Sequence, residues 1–368
     1  MVCVLLLVPW AFQENSYIHI MQALTFGGKE IIDYKLVNDP WLLHPSDAII
    51  RITMAGICGS DLHVYHGRET GLDRGTVMGH EFTGVVEQVG SDVKKFKNGA
   101  RVLSPFTTSC GECFYCRIGL TCRCEKGSLF GWVQNGRGLH GAQAAYIRVP
   151  MADSTLLPLS NDLNEKKGLL LGDVFSTGYF CADNANIKPG GVYVVIGCGP
   201  VGMMTILAAK HLGAEKLFAV DMIAERLAMT KNFGAIPLNA SLTDVKEEIL
   251  NATKGRGADA AMEVVGSDTS LKLAIDLIRP GGIISSVGVH TAENFSFSPG
   301  EAYDKNLVYK IGRCPAYYYA EKLLREQVIQ RYPVEKIITH HFNLTDGARA
   351  YEVFDKKMDN CIKAVLHP

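Results

Sequence analysis

The 368-residue chain lacks several features that would assign it quickly to a class. It has no stretch of 18 uninterrupted apolar residues, so no membrane-spanning helix is expected. Lys and Arg number 37 against 38 Asp and Glu, a formal net charge of -1, and no long basic run occurs. That balance argues against a protein that grips nucleic acid or another polyanion through bulk charge. No Lys or Arg precedes Lys29, so the short greasy run Val2 to Pro9 lacks the positive flank of a secretory signal. Residues 1–20 are therefore read as an upstream extension, with Met21 opening the folded part. Internal repeats and low-complexity tracts are also missing. Hydrophobic residues at 47% and charged residues at 20% exclude a disordered chain.

Glycine and cysteine are plentiful. Thirty-seven glycines, about a tenth of the chain, suggest tight turns and close backbone approaches to a ligand. Five of the eleven cysteines fall between Cys110 and Cys124, and the rest are scattered at Cys3, Cys58, Cys181, Cys198, Cys314 and Cys361. A disulfide-stapled secreted scaffold is short and evenly laced. This chain is neither, so a reducing, cytoplasmic setting with thiolate metal ligands is expected.

The length predicts two or three domains. From Met21 to about Asp173 the chain is rich in glycine and short alternating runs, with strands expected at Asp47 to Met54, Phe82 to Val89 and Ala100 to Leu103. This predicts an irregular β domain. The texture changes near residue 188. Strands are expected at Val192 to Ile196, Lys216 to Asp221, Ala258 to Val264 and Gly282 to Gly288. Helices are expected to Leu212, at Ala224 to Phe233, Thr243 to Thr253 and Thr269 to Ile278. Alternating β and α elements predict a doubly wound parallel sheet. The tail from about Arg313 is read as one helix, Ala320 to Gln330, and a last strand at Ala364 to Leu366 that packs back on the first domain.

Three motifs carry chemistry. Gly197-Cys-Gly199-Pro-Val-Gly202 follows a strand and opens a helix, and Asp221 ends the next strand. In that context Gly197 permits the turn, Gly199 admits a pyrophosphate and Gly202 lets helix and strand pack closely. The helix N-terminus favours the anion. Asp221 would bond the ribose hydroxyls and repel a 2′-phosphate, which predicts NAD over NADP. Cys110-x2-Cys113-x2-Cys116-x7-Cys124 has the spacing of a closed, four-thiolate structural zinc site, with Cys122 an open alternative for the fourth ligand. Cys58-Gly-Ser60-Asp61-Leu-His63, Gly79-His80-Glu81 and Gly172-Asp173 supply a thiolate, an imidazole and carboxylates, the donor types of a zinc site with one open position. Spacing alone does not bring these three segments together, and each residue taken singly has an ordinary structural reading.

Taken jointly, these motifs resemble those of a zinc-dependent alcohol dehydrogenase of the medium-chain dehydrogenase/reductase family, formaldehyde- or general alcohol-dehydrogenase-like, from Met21 to the end of the chain. The resemblance implies an α/β fold: a GroES-like β catalytic domain over residues 21–178, including the zinc lobe, a Rossmann domain over 179–315, and a return of 316–368 to the catalytic domain. It implies Cys58, His80 and Asp173 as catalytic zinc ligands, with Glu81 as an alternate or transient one. Many relatives have Cys where this chain has Asp173. Ser60 and His63 match the proton relay, Asp61 a residue that orients His80, and Phe106 an apolar wall of the alcohol pocket. Thr177, Val201, Arg226, Val265 and Val289 match positions that contact the cofactor. Gly59 departs from relatives that carry a cation there, which implies a weaker hold on the cofactor or its faster release.

The implied activity is hydride transfer between a small alcohol and NAD, or aldehyde and ketone reduction in reverse, with zinc as Lewis acid. A homodimer or homotetramer is expected. Polyol or amino-alcohol oxidation on the same fold is the nearest rival, and a non-catalytic NAD-binding protein is another. A nucleic-acid module built on the four-Cys lobe alone is disfavoured by the charge.

Overall fold

The structure, a computed structural model, describes residues 20–368. The greasy run Val2 to Pro9 and Cys3 lie outside the described residues. The described residues form two large sheets and two small hairpins.

The first large sheet is built around Ala48–Gly56 and Phe82–Val89, which pair antiparallel with Ala55 opposite Phe82. On one side Arg101–Ser104 and then Leu157–Pro158 continue the sheet. Tyr146–Val149 adds to Ala48–Gly56. On the other side come two strands of the tail. Lys363–His367 pairs antiparallel with Ala48–Gly56, and Ile338–Asn343 lies parallel to it at the edge. The inward faces enclose one core, with Leu24, Ile50, Phe82, Phe130 and Tyr351 fully buried.

The second sheet is parallel throughout. In the order of their sequence its strands stand 3-2-1-4-5-6: Ile236–Asn239, Lys216–Asp221, Val192–Ile196, Ala258–Glu263, Ile278–Ser286 and Val308–Ile311. Every residue of Val192–Ile196 is buried, as expected of a central strand covered on both faces. The order reverses between strands 1 and 4, the switch point at which such sheets bind ligands.

Three expectations need correction. The stretch up to Asp173 is not purely β: helix Glu165–Gly172 occupies its end, and helix Val174–Asn184 follows it directly. Both are buried on several sides, so neither shows the one-sided apolar stripe that marks a surface helix. The tail helix begins earlier, at Ala316–Arg325, and gives way to short 3-10 turns before residue 330. The tail also holds a second helix, Gly347–Lys356, and the strand Ile338–Asn343, neither of which the sequence reading included. That second helix starts on a glycine, a poor helix former, although Ala350, Tyr351, Val353 and Phe354 pack its inner face.

Candidate active site

Strand register explains why distant residues meet. Ala55 opposes Phe82, so the chain leaving the first strand at Ile57 and Cys58 runs beside the chain entering the second at His80 and Glu81; the Gly56 N–H donates to Glu81 O at 2.9 Å. Asp173 stands at the junction of the helices Glu165–Gly172 and Val174–Asn184. The ligand-type atoms of Cys58, His80, Glu81 and Asp173 all lie within 4.8 Å of one another, and all four residues are buried. Asp173 Oδ2 is 3.4 Å from both Cys58 Sγ and His80 Nε2.

The surrounding groups hold this set in place. Cys58 caps the short helix Gly59–Tyr65. Asp61, in its first turn, accepts the Cys58 N–H at 2.8 Å and faces His80 Nδ1 at 3.2 Å. One carboxylate thus fixes the thiol's backbone and turns His80 Nε2 toward the cluster. Ser60 Oγ lies 3.2 Å from His80 Nε2, and the Thr177 hydroxyl donates to Asp173 Oδ1 at 3.2 Å. The Phe106 ring meets the His80 ring edge-on at 6.3 Å. The Lys363 ammonium, completely buried on the tail strand, donates to Ile57 O at 2.9 Å and Glu81 Oε1 at 2.7 Å. A lysine in a terminal strand gives no sequence signal of such a role, and the motif reading missed it.

Burial, then the Asp173 and Glu81 charges, push the Cys58 thiol up to about 11. Burial also raises Glu81, to about 7, against the pull of Lys363. Burial opposes a charged His80, but Asp61 and Asp173 outweigh it and raise the imidazole well above its ordinary value. A buried thiol pressed against carboxylates becomes a thiolate at neutral pH only when a cation joins it. Thiol, imidazole and carboxylate are donors that suit zinc. The set therefore fits a zinc ion.

The second cluster is local. Cys110, Cys113, Cys116 and Cys124 bring their sulfurs within 4.8 Å of one another, and every cysteine among the described residues is free. The Cys110 N–H points at Cys124 Sγ at 3.2 Å and the Cys113 N–H at Cys110 Sγ at 3.4 Å. Cys122 turns away and donates to Arg313 O at 3.3 Å. This set also fits zinc, in a closed four-sulfur site.

The glycine turn lies where the parallel sheet reverses its order. Gly197 has φ +97°, and Gly202 sits so close that a Cβ there would be 1.9 Å from Gly197 O. Gly199 caps the helix Pro200–His211, which includes the half-buried Val201, and Arg226 Nη1 lies 3.7 Å from where a Gly199 Cβ would be. Asp221 Oδ2 accepts the Cys198 N–H at 2.7 Å, and its Oδ1 accepts those of Met222 at 2.7 Å and Ile223 at 3.0 Å. Val265 and Val289 stand exposed on the turns after strands 4 and 5. At Gly59 an added Cβ meets nothing within 4 Å, so the position is open and uncharged. Among the described residues, His63 Nδ1 is buried without a partner, and Ser60 and His63 share no direct hydrogen bond.

A β domain with two zinc-type donor sets, joined to a parallel sheet carrying a dinucleotide turn, defines a zinc-dependent oxidoreductase of the medium-chain class. Comparison with known proteins agrees. Residues 44–160 match the family described as "Alcohol dehydrogenase GroES-like domain" and residues 200–316 that described as "Zinc-binding dehydrogenase". The chain is 40% identical over 343 residues to zinc-type alcohol dehydrogenase B of Aspergillus flavus, covering 91% of this chain and 79% of that one. The alcohol dehydrogenase TADH from Thermus sp. ATN1 superposes with a TM-score of 0.88 at 39% identity, over 94% of this chain and 99% of that one. An NADP-dependent isopropanol dehydrogenase of Clostridium beijerinckii is 30% identical over 326 residues, 87% of this chain and 92% of that one. The chain belongs to the zinc-type alcohol dehydrogenase family of medium-chain dehydrogenases/reductases. Among the described residues, no helix is long and apolar enough to cross a membrane.

Proposed function

We propose that the protein oxidises a small alcohol with NAD, or reduces the matching aldehyde or ketone in reverse. The carrying observation is the convergence of Cys58, His80, Glu81 and Asp173 into one buried donor set. In this reading Cys58, His80 and Asp173 hold the catalytic zinc, with Glu81 in reserve, and Cys110, Cys113, Cys116 and Cys124 hold a structural one. Residues 21–178 and 316–368 act as the catalytic domain and 179–315 as the cofactor domain. Zinc would supply Lewis acidity toward a substrate oxygen, and NAD the ring that takes the hydride.

The protein's own residues do the rest. Asp61 keeps the His80 Nε2 lone pair aimed at the donor set. Phe106 and the buried strand ends exclude water. Ser60 Oγ would take the substrate's hydroxyl proton while releasing its own, and His63 Nδ1, which Ser60 does not bond directly, would be the final acceptor in the protein. Burial, with Arg68 and His66 nearby, lowers the His63 pKa, so its imidazole is neutral and ready to accept at neutral pH.

Asp221 carries the choice of cofactor. Its charge stands at the end of strand 2, with the uncharged, exposed Met222 next in the chain. A 2′-phosphate there meets a carboxylate, and the guanidinium of Arg226 is directed over Gly199 instead. The test is kcat/KM for NAD and NADP with a panel of simple alcohols, polyols and amino alcohols. NAD is expected to lead by about 100-fold or more, the cost of roughly 3 kcal/mol for an unmatched charge. Equal use of NADP would overturn the Asp221 argument, and absence of dinucleotide reduction with every alcohol would overturn the function.

A further inference from the structure

Strand 4 of the parallel sheet ends in a buried carboxylate that the chemistry above does not use. Glu263 Oε1 accepts the N–H groups of Val265 at 2.8 Å and Gly266 at 2.7 Å and the Ser270 hydroxyl at 2.8 Å. Its Oε2 accepts the Ser286 hydroxyl at 2.7 Å and lies 3.1 Å from His290 Nε2. One oxygen thus holds the turn after strand 4 and the other holds the segment after strand 5.

These two segments touch backbone to backbone. A Cβ on Gly266 would fall 2.4 Å from Val289 O, and one on Gly288 would fall 2.1 Å from Gly266 N. The contact brings Val265, 46% exposed, and Val289, 37% exposed, to the same end of the sheet. In a sheet of this order, strands 1 to 3 serve the adenosine half of a dinucleotide and strands 4 to 6 the other half.

We propose that Glu263 and His290 form a positioning clamp that sets the register of these two turns and so shapes the nicotinamide half of the cofactor groove. The inference rests on the dehydrogenase reading given above. Fixing the turn after strand 4 needs only Oε1. The imidazole on Oε2 ties in a second turn and makes the tie sensitive to protonation. The Glu263 contact raises the His290 pKa, against partial burial, and Asp268 adds to it. Burial works to raise Glu263, but the His290 and Ser286 bonds and the Gly266 N–H outweigh it and hold the carboxyl low. Tyr309 faces the same carboxylate from strand 6. A His with a raised pKa contributes its charged contact fully below the ordinary histidine value. That contribution is lost as pH rises through the raised one, when an ion pair becomes a weaker neutral hydrogen bond.

The test uses the full-length, zinc-loaded protein, with His290→Gln and Glu263→Gln. NADH binding, or that of whichever reduced dinucleotide the wild type takes, is followed by fluorescence from about pH 6 to about pH 9. ADP, which fills only the adenosine half, is followed by calorimetry. Wild-type NADH affinity is expected to fall on the alkaline side. His290→Gln should weaken it about fivefold at low pH, the scale of a modest coupling, and flatten the profile, with ADP binding unchanged. Glu263→Gln should do the same where it folds, and retained ADP binding reports that it has. An unaltered NADH profile in His290→Gln, or equal losses of NADH and ADP, overturns the clamp. A wild type that binds ADP but neither reduced dinucleotide overturns the dehydrogenase reading, and the clamp with it.

Discussion

The two donor sets differ in nearly every physical respect. The lobe takes its four sulfurs from fifteen consecutive residues, is partly open to solvent, and uses backbone N–H groups to support its thiols. The other set collects a thiol, an imidazole and two carboxylates from three distant segments, is wholly buried, and leans on Asp61, Thr177 and a tail lysine. A local set of identical donors can close a loop but offers a substrate nothing. A mixed set at the junction of several elements requires the whole fold, and in return brings donors of different chemistry together.

The largest expected effect separates these roles directly. Asp173→Ala removes one donor of the buried set. Turnover should fall by about 10²–10³-fold, the scale of losing one preorganised electrostatic partner. Zinc, measured per chain, should drop from two towards one. The lobe's counterpart is Cys113→Ser, which should also cost one zinc. There the loss should appear in thermal stability, by roughly 10 °C if a few kcal/mol of metal binding is lost, while turnover at room temperature stays within a few-fold. Loss of turnover to the same degree in both variants would erase the distinction.

The next prediction concerns the buried ion pair that only the mixed set possesses. Lys363→Met removes the ammonium beside Glu81 where neither residue touches water, so the carboxyl, already raised by burial, either stays charged and unpaired or takes up a proton at a cost. Breaking one side of such a pair costs about 3–5 kcal/mol, which would be read as a lowered denaturation midpoint. Glu81→Gln in the same chain should restore most of that stability, because the unpaired carboxyl is gone. Failure of the double variant to recover would mean that Lys363 acts mainly through the Ile57 carbonyl.

Legibility in the sequence follows the same division. The lobe could be read from spacing because its partners are near one another in the chain, although spacing left Cys122 and Cys124 equivalent until the geometry turned Cys122 toward Arg313 O. The parallel sheet was legible too: Val192–Ile196 spans its apolar run between two glycines, and Lys216–Asp221 brackets the apolar run 217–220 with one charged residue at each end. Bringing Cys58, His80 and Asp173 together is a matter of strand register and of a helix junction, neither of which leaves a local pattern. The resemblance to a family supplied that grouping. Helices Glu165–Gly172 and Gly347–Lys356 were missed because one is buried on several sides and the other opens on glycine. Lys363, Glu263 and His290 were missed because a charged residue in or beside a strand looks the same whether it faces water or a buried partner.

The smallest effect tests the proposed proton route from the buried set to solvent, which the four-sulfur lobe has no use for. His63 is half-buried, and that burial, before the nearby Arg68 and His66, lowers its pKa. A histidine whose folded value lies below its unfolded one binds fewer protons when folded, so it favours the native state as pH rises through that window and opposes it as pH falls. The same shift keeps its Nδ1 free to accept a proton at pH values where an ordinary histidine is already half charged. Alcohol oxidation should therefore hold its rate somewhat below the ordinary histidine value of about 6.5 before declining. His63→Gln should cost about tenfold, less than the 10²–10⁴ of a base that touches the substrate, and should remove that acid limb while leaving both zinc ions in place. A variant that keeps the limb would assign it to another group and would leave Ser60 passing its proton to solvent directly.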